Sequence, residues 1–132
     1  MRIDFDETVP VPPDVVFDYL RAPTEWPRLY GAFGEVRDLG GGWYAVPLAG
    51  AQPDLEARLT TLELDRRVAW ELRGTLAGQG EVELEPDDGG TRITGFEEIE
   101  LAGLDDPDIR AEVRHRFEAI WQMGWDRLRA SI

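Results

Sequence analysis

The last quarter of the chain, Pro107 to Ile132, sets the strongest limit on what this sequence can fold into. Ile109, Val113, Phe117, Ile120, Trp121, Gly124, Trp125 and Leu128 recur at three- and four-residue steps, which predicts one apolar stripe along a helix. Arg110, Glu112, Arg114, Arg116, Glu118, Asp126, Arg127 and Arg129 fall between them and make a face suited to water. Asp106 is placed to cap the amino end, and Pro107 fits the first helical position, where its missing N–H is no loss. A helix of that length spans more than about 30 Å at ~1.5 Å per residue. Its apolar face needs a broad cover.

The rest of the chain supplies that cover as strands. Arg2 to Val9 alternates around Ile3, Phe5 and Val9 and reads as a first strand, stopped by Pro10, Pro12 and Pro13. Asp14 to Arg21 carries Val16, Phe17 and Leu20 at helical spacing, and Thr24-Glu25-Trp26-Pro27 opens a second short helix running to about Tyr30. From Phe33 the period becomes two. Glu35 to Leu39 and Trp43 to Leu48 form a hairpin about Gly40-Gly41-Gly42, followed by strands over Leu55 to Leu64, Arg67 to Arg73, Glu81 to Glu85 and Thr91 to Leu101. Val68, Trp70 and Leu72 face one way in the cleanest of these alternations. The layout predicts a single α+β domain over residues 1–132, one antiparallel sheet gripping one long helix.

Composition narrows the chemistry by what it omits. The 132 residues contain no cysteine, lysine or asparagine, one histidine (His115), and one serine, Ser131, next to the last residue. A thiolate nucleophile, a side-chain Schiff base and a Ser-His pair are therefore excluded, and no cofactor or metal set is expected. Carboxylates, tyrosines, threonines and arginines remain. The net charge of −13 opposes binding to nucleic acid or anionic lipid. No eighteen-residue apolar run exists, and Met1-Arg2-Ile3-Asp4-Phe5-Asp6 is too charged for a signal peptide, so a cytoplasmic protein, monomer or homodimer, is the expectation.

Three stretches resemble a known superfamily. Val9-Pro-Val-Pro-Pro-Asp-Val-Val-Phe-Asp-Tyr-Leu20 with Pro23-Thr-Glu-Trp-Pro27 is similar to the first strand–helix junction of the SRPBCC, or START-like, superfamily. Leu59-Thr-Thr-Leu-Glu-Leu-Asp-Arg-Arg-Val-Ala-Trp70 resembles its central strand–turn–strand, and Gly89-Gly-Thr-Arg-Ile-Thr94 the turn into its last strand. The likeness covers essentially the whole chain and looks most like the bacterial polyketide cyclase/dehydrase-like group. Met123-Gly124-Trp125-Asp-Arg-Leu128 also resembles the closing helix of the heat-shock ATPase activators. The resemblance implies a helix-grip fold, a curved seven-stranded antiparallel sheet around a long C-terminal helix with two short helices. It further implies a cavity for a hydrophobic small molecule, and no particular reaction.

The candidate residues follow from the predicted faces. Trp70, Leu72, Phe117 and Trp121, with Leu59, are expected between sheet and helix, either as walls for a flat ligand or as plain core. Trp26, Tyr30 and Phe33 would form a lid, or would simply cover the end of the sheet. Tyr44 could bring a hydroxyl from the third strand, though alternation leaves open whether it or Trp43 faces in. If Ile93, Ile99 and Leu101 point inward, Glu97 goes with them, as a general acid or base. A bulge at Gly95 would instead turn Glu97 out and bring Glu98 in. His115 is expected in solvent, and Arg58 and Arg92 on the outer face among Glu56, Glu81 and Glu83. The functional expectation is binding of a neutral hydrophobic molecule, aromatic or polyketide-like, with cyclisation or dehydration as the chemistry Glu97 would serve. The alternatives are a carrier or sensor without chemistry, or a protein-interaction module.

Overall fold

In the computed structural model, residues 1–30, 34–47, 55–74, 76–100 and 105–130 are described. Phe33 and Leu101 lie outside them. Strand β1 (Arg2–Val9) buries Ile3, Phe5 and Val9 and turns Arg2, Asp4 and Asp6 to water. Helix α1 (Pro13–Leu20) begins with a proline in its first turn and buries Val16, Phe17 and Leu20. A 3-10 helix follows at Pro23–Arg28, and Trp26 within it donates its indole N–H to the Leu20 carbonyl at 3.2 Å.

The sheet then builds as β2 (Arg37–Gly40), β3 (Trp43–Ala45), β4 (Leu55–Glu63), β5 (Arg67–Gly74), β6 (Ala77–Asp87) and β7 (Gly90–Glu100). Its seven strands lie in the order β1-β7-β6-β5-β4-β3-β2, every pair antiparallel. The first strand thus pairs with the last, and the others follow as a meander. Helix α2 (Pro107–Arg129) lies against the inner face, and Asp106 caps it by accepting from the Asp108 N–H at 2.9 Å. This is the helix-grip arrangement.

Several elements differ from the sequence pattern: β2 begins at Arg37 rather than Glu35, β3 ends at Ala45 rather than Leu48, and β6 and α2 differ as well. β6 starts at Ala77, four residues before the alternation suggests, because Gly78 and Gly80 are ladder residues, opposite Ile99 and Glu97. A β-carbon on Gly78 would meet the Glu98 carbonyl oxygen, and one on Gly80 the Trp70 indole. The apolar stripe of α2 is also shorter than its spacing implies. Burial runs through Phe117, Trp121, Gly124, Trp125 and Leu128, but Ile109 is 45% exposed and Val113 only half-buried. The first turn of the helix is exposed, whereas Val113 packs against the core and the Arg114 guanidinium donates to the Arg2 carbonyl at 3.0 Å.

The outer face is an arginine–carboxylate lattice. The Arg58 and Arg73 guanidinium groups sit 4.9 and 3.8 Å from the Trp43 ring centre, Arg73 reaches Glu56 at 2.8 Å, and Arg58 pairs with Glu71. Arg67 pairs with Glu81, and Arg92 with Asp6 at 3.0 Å. These half-exposed pairs are screened by water, and each contributes little to stability. Trp43 is therefore the outward residue of its pair, and Tyr44, opposite Ala57, takes the inner face. His115 is exposed.

Gly95 lies in β7 opposite Val82 of β6. Its φ of 156° is unusual for an L-residue, and a β-carbon there would run into the Glu81 carbonyl. Gly95→Ala should lower stability by roughly 2–3 kcal/mol, read as a shifted urea midpoint. The exposed control Glu100→Ala should shift it by less than about 0.5 kcal/mol. Equal midpoints for the two would show that the strands part easily at this point.

Candidate functional site

Strand β7 decides which carboxylate enters the interior. Thr91, Ile93, Glu97 and Ile99 are buried in alternation, and the register against both β1 and β6 runs through Gly95 without a shift. No bulge interrupts the strand, so Glu97 points inward, 3% exposed. Glu98 points outward, where Arg2 reaches it at 3.1 Å. The register shifts in this sheet fall elsewhere, between Leu59 and Thr61 of β4 and between Asp38 and Gly40 of β2.

Two indoles hold the Glu97 carboxyl group. Trp70 Nε1 donates to Oε2 at 3.0 Å, and Trp121 Nε1 donates to Oε1 at 2.9 Å. Trp70 belongs to β5, two strands away, and Gly80 stands between them as the ladder partner of both residues. A β-carbon on Gly80 would lie 2.5 Å from Trp70 Cζ2, so the bare backbone is what lets the indole cross to the carboxylate. Trp121 reaches the other oxygen from α2. Sheet and helix thus each contribute one donor.

The surroundings are otherwise apolar and aromatic. Trp121 contacts Phe5, Tyr30, Trp70 and Trp125, with ring centres 4.5, 5.4, 5.5 and 5.5 Å away. Trp26 meets Trp70 edge-on at 6.4 Å. Tyr30 packs directly on Gly124 of α2, where any side chain would collide with its ring. Among the described residues, no arginine forms a salt bridge with Glu97. Burial accordingly pushes its carboxyl group up from the ordinary 4.5 to about 7, against the two indole hydrogen bonds that pull it down. Burial, and then the charge of Glu97, push the Tyr30 phenol well above its usual range.

A void of about 40 Å³ remains beside Glu97, space for a few water molecules. Trp26, Tyr30, Trp70, Phe117 and Trp121 line it on the aromatic side. Val46, Leu55, Val68 and Leu72 line it from the sheet, with Leu20 and Ile120 completing it. Of the residues proposed from sequence, these include Trp26, Tyr30, Trp70, Leu72, Phe117, Trp121 and Glu97. Leu59 is partly buried against the core, paired with Trp70, and is not in the lining. Tyr44 faces inward but is only half-buried and also lies off the void. Val68 was legible, since it alternates in step with Trp70 and Leu72. Val46 and Leu55 carry no sequence signal that separates them from ordinary core.

The carboxyl group links this site to pH. Between about pH 4.5 and 7 the folded protein keeps a proton on Glu97 that the unfolded chain has released. The stability tied to this group is therefore greatest below pH 4.5 and is lost as pH rises through about 7, by roughly 3 kcal/mol in all. Urea unfolding of wild type and Glu97→Gln from pH 4.5 to 8 should diverge by about that amount. Tryptophan emission of the wild type should titrate with a midpoint near 7, and the variant should show no such step. Parallel curves and a flat emission profile would mean that Glu97 keeps one charge state throughout.

Comparison with solved structures places the fold among proteins of the same architecture. The chain is 18% identical to Ara h 8.0201, with a TM-score of 0.73 and 99% of each chain covered. It is 13% identical to Aha1 from Colwellia psychrerythraea, whose solution structure is a dimer, with a TM-score of 0.73 and 98% and 96% covered. Mll3558 from Rhizobium loti is 22% identical, with a TM-score of 0.66 and 100% and 96% covered. These are likenesses of fold. No curated protein matches the sequence. Residues 2–132 match the family described as polyketide cyclase / dehydrase and lipid transport. The chain, a sheet that grips its closing helix around one buried carboxylate, belongs to that family.

Proposed function

We propose that this protein binds a hydrophobic small molecule, aromatic or polyketide-like, between the sheet and α2. The observation that carries this reading is the void beside Glu97, whose lining is apolar or aromatic apart from that single carboxyl group. Sites for small ligands have this character, a mostly apolar wall with a few fixed polar groups. Membership of a family that includes lipid transport supports it. The void is too small for such a ligand, so binding must part the aromatic walls. The 3-10 helix at Pro23–Arg28 with Tyr30 is the wall best placed to move, since it belongs to neither the sheet nor the long helix.

Glu97 supplies the chemistry in this proposal. A carboxyl group that titrates near neutrality can take a proton from a carbon flanked by carbonyls and return it to the oxygen formed when that carbon attacks a second carbonyl. Loss of water would complete an aldol-type cyclisation. The walls contribute by holding the reacting chain folded.

The test uses the neutral dye N-phenyl-1-naphthylamine. Its emission should rise on wild-type protein, and Val68→Phe, which fills the void from β5, should weaken binding at least about tenfold while keeping the fold. Glu97→Gln should keep dye affinity within about twofold and slow dehydration of a β-hydroxyketone probe by about a hundredfold or more. No dye response in wild type would overturn the binding reading. Equal dehydration rates would leave a carrier without chemistry.

A further inference from the structure

The electrostatics of the cavity point to a more specific ligand than apolar walls alone. A carboxylate sealed from water is costly to hold unless a cation or a full set of donors offsets it. Glu97 has two neutral N–H donors, from Trp70 and Trp121, and no salt-bridge partner among the described residues. Each carboxylate oxygen accepts one indole bond and retains a lone pair. The charged and titratable groups around it are few. Tyr30 faces it with a phenol that stays neutral, β5 and α2 present indoles, β6 presents Gly80, and β1 presents Ile3 opposite. Five aromatic side chains, Trp26, Tyr30, Trp70, Phe117 and Trp121, line the void beside it, and aromatic rings attract ammonium groups over their faces. Once Glu97 ionises, near pH 7, the interior is an anion in an aromatic box with no salt-bridge partner among the described residues.

We propose that the interior selects ligands carrying a protonated amine on a compact apolar body, with the ammonium lying against Glu97 and the apolar part among the aromatic walls. This rests on the binding reading above and names the head group of its ligand. The two indole bonds fix the carboxylate before the ligand arrives, so little ordering is needed on binding. The net charge of −13 draws cations toward the molecule at long range. When no amine is bound, a proton takes its place, so amine binding competes with protonation of Glu97. A neutral ligand that accepts a hydrogen bond from the protonated carboxyl group would show the opposite pH dependence.

Benzylamine and benzyl alcohol, nearly identical in shape and differing in charge, separate these cases. Their dissociation constants for the wild-type protein are measured by tryptophan fluorescence at pH 6, 7 and 8, where benzylamine stays protonated. Benzylamine should bind about tenfold or more tighter than the alcohol at pH 8. Its dissociation constant should fall about tenfold from pH 6 to 8 as Glu97 ionises about a midpoint near 7. Glu97→Gln should erase both differences, and the wild-type pH series stands without it. Alcohol binding as tight as amine binding, or amine affinity that weakens with rising pH, overturns the inference and leaves an apolar site intact. A dye response with no response to either probe also overturns it, whereas failure of dye and probes alike removes the site itself.

Discussion

Trp121 is the contact on which the architecture turns. One face of α2 must be held against a sheet that curves away from it, and this side chain makes the join in two currencies at once. Its ring meets Phe5 from β1, Trp70 from β5, Tyr30 from the segment after the 3-10 helix, and Trp125 one turn along its own helix. Its N–H ends on Glu97 of β7. Removing it would take away apolar area from four neighbours and strip one of two donors from a buried carboxylate. The polar and apolar parts of the core therefore depend on the same residue.

That coupling also explains why the interior is mostly filled. Four of the five tryptophans cluster there, and their contacts leave a void of about 40 Å³. Aromatic pairs at these distances and angles add roughly 0.5–1.5 kcal/mol each beyond area burial, so opening the box has a real cost. A ligand of the proposed kind would have to recover that cost through its own contacts. In that proposal the carboxylate, held by two neutral donors, is one place where it would do so.

The parts of this structure legible in the sequence are those set by local periodicity. The stripe from Phe117 to Leu128, the alternation of Val68, Trp70 and Leu72, and the prolines bounding α1 each fix an element without reference to the rest. The inward turn of Glu97 was legible too, up to one ambiguity. Glycine at 95 is compatible with a bulge or with a flat close approach, and only the neighbouring strands decide between them. The indole cradle was not legible. Glu97 lies 27 and 24 residues from Trp70 and Trp121, and nothing local says that a donor two strands away will reach across. The exposed Ile109 marks the same boundary, since periodicity defines a helix face but not how far the opposing sheet extends.

Gly80 shows how much of the site's chemistry rests on a position with no functional group. The Trp70 indole lies over it to reach Oε2, so even a methyl group at that point would lift the ring from the carboxylate. The anion would lose a stabilising donor, and its affinity for protons would climb further with no polar residue altered. Acidity here is tuned by an empty space in the sheet. A relative that differs only at this position could share every other residue around the carboxyl group and still titrate in a different pH range.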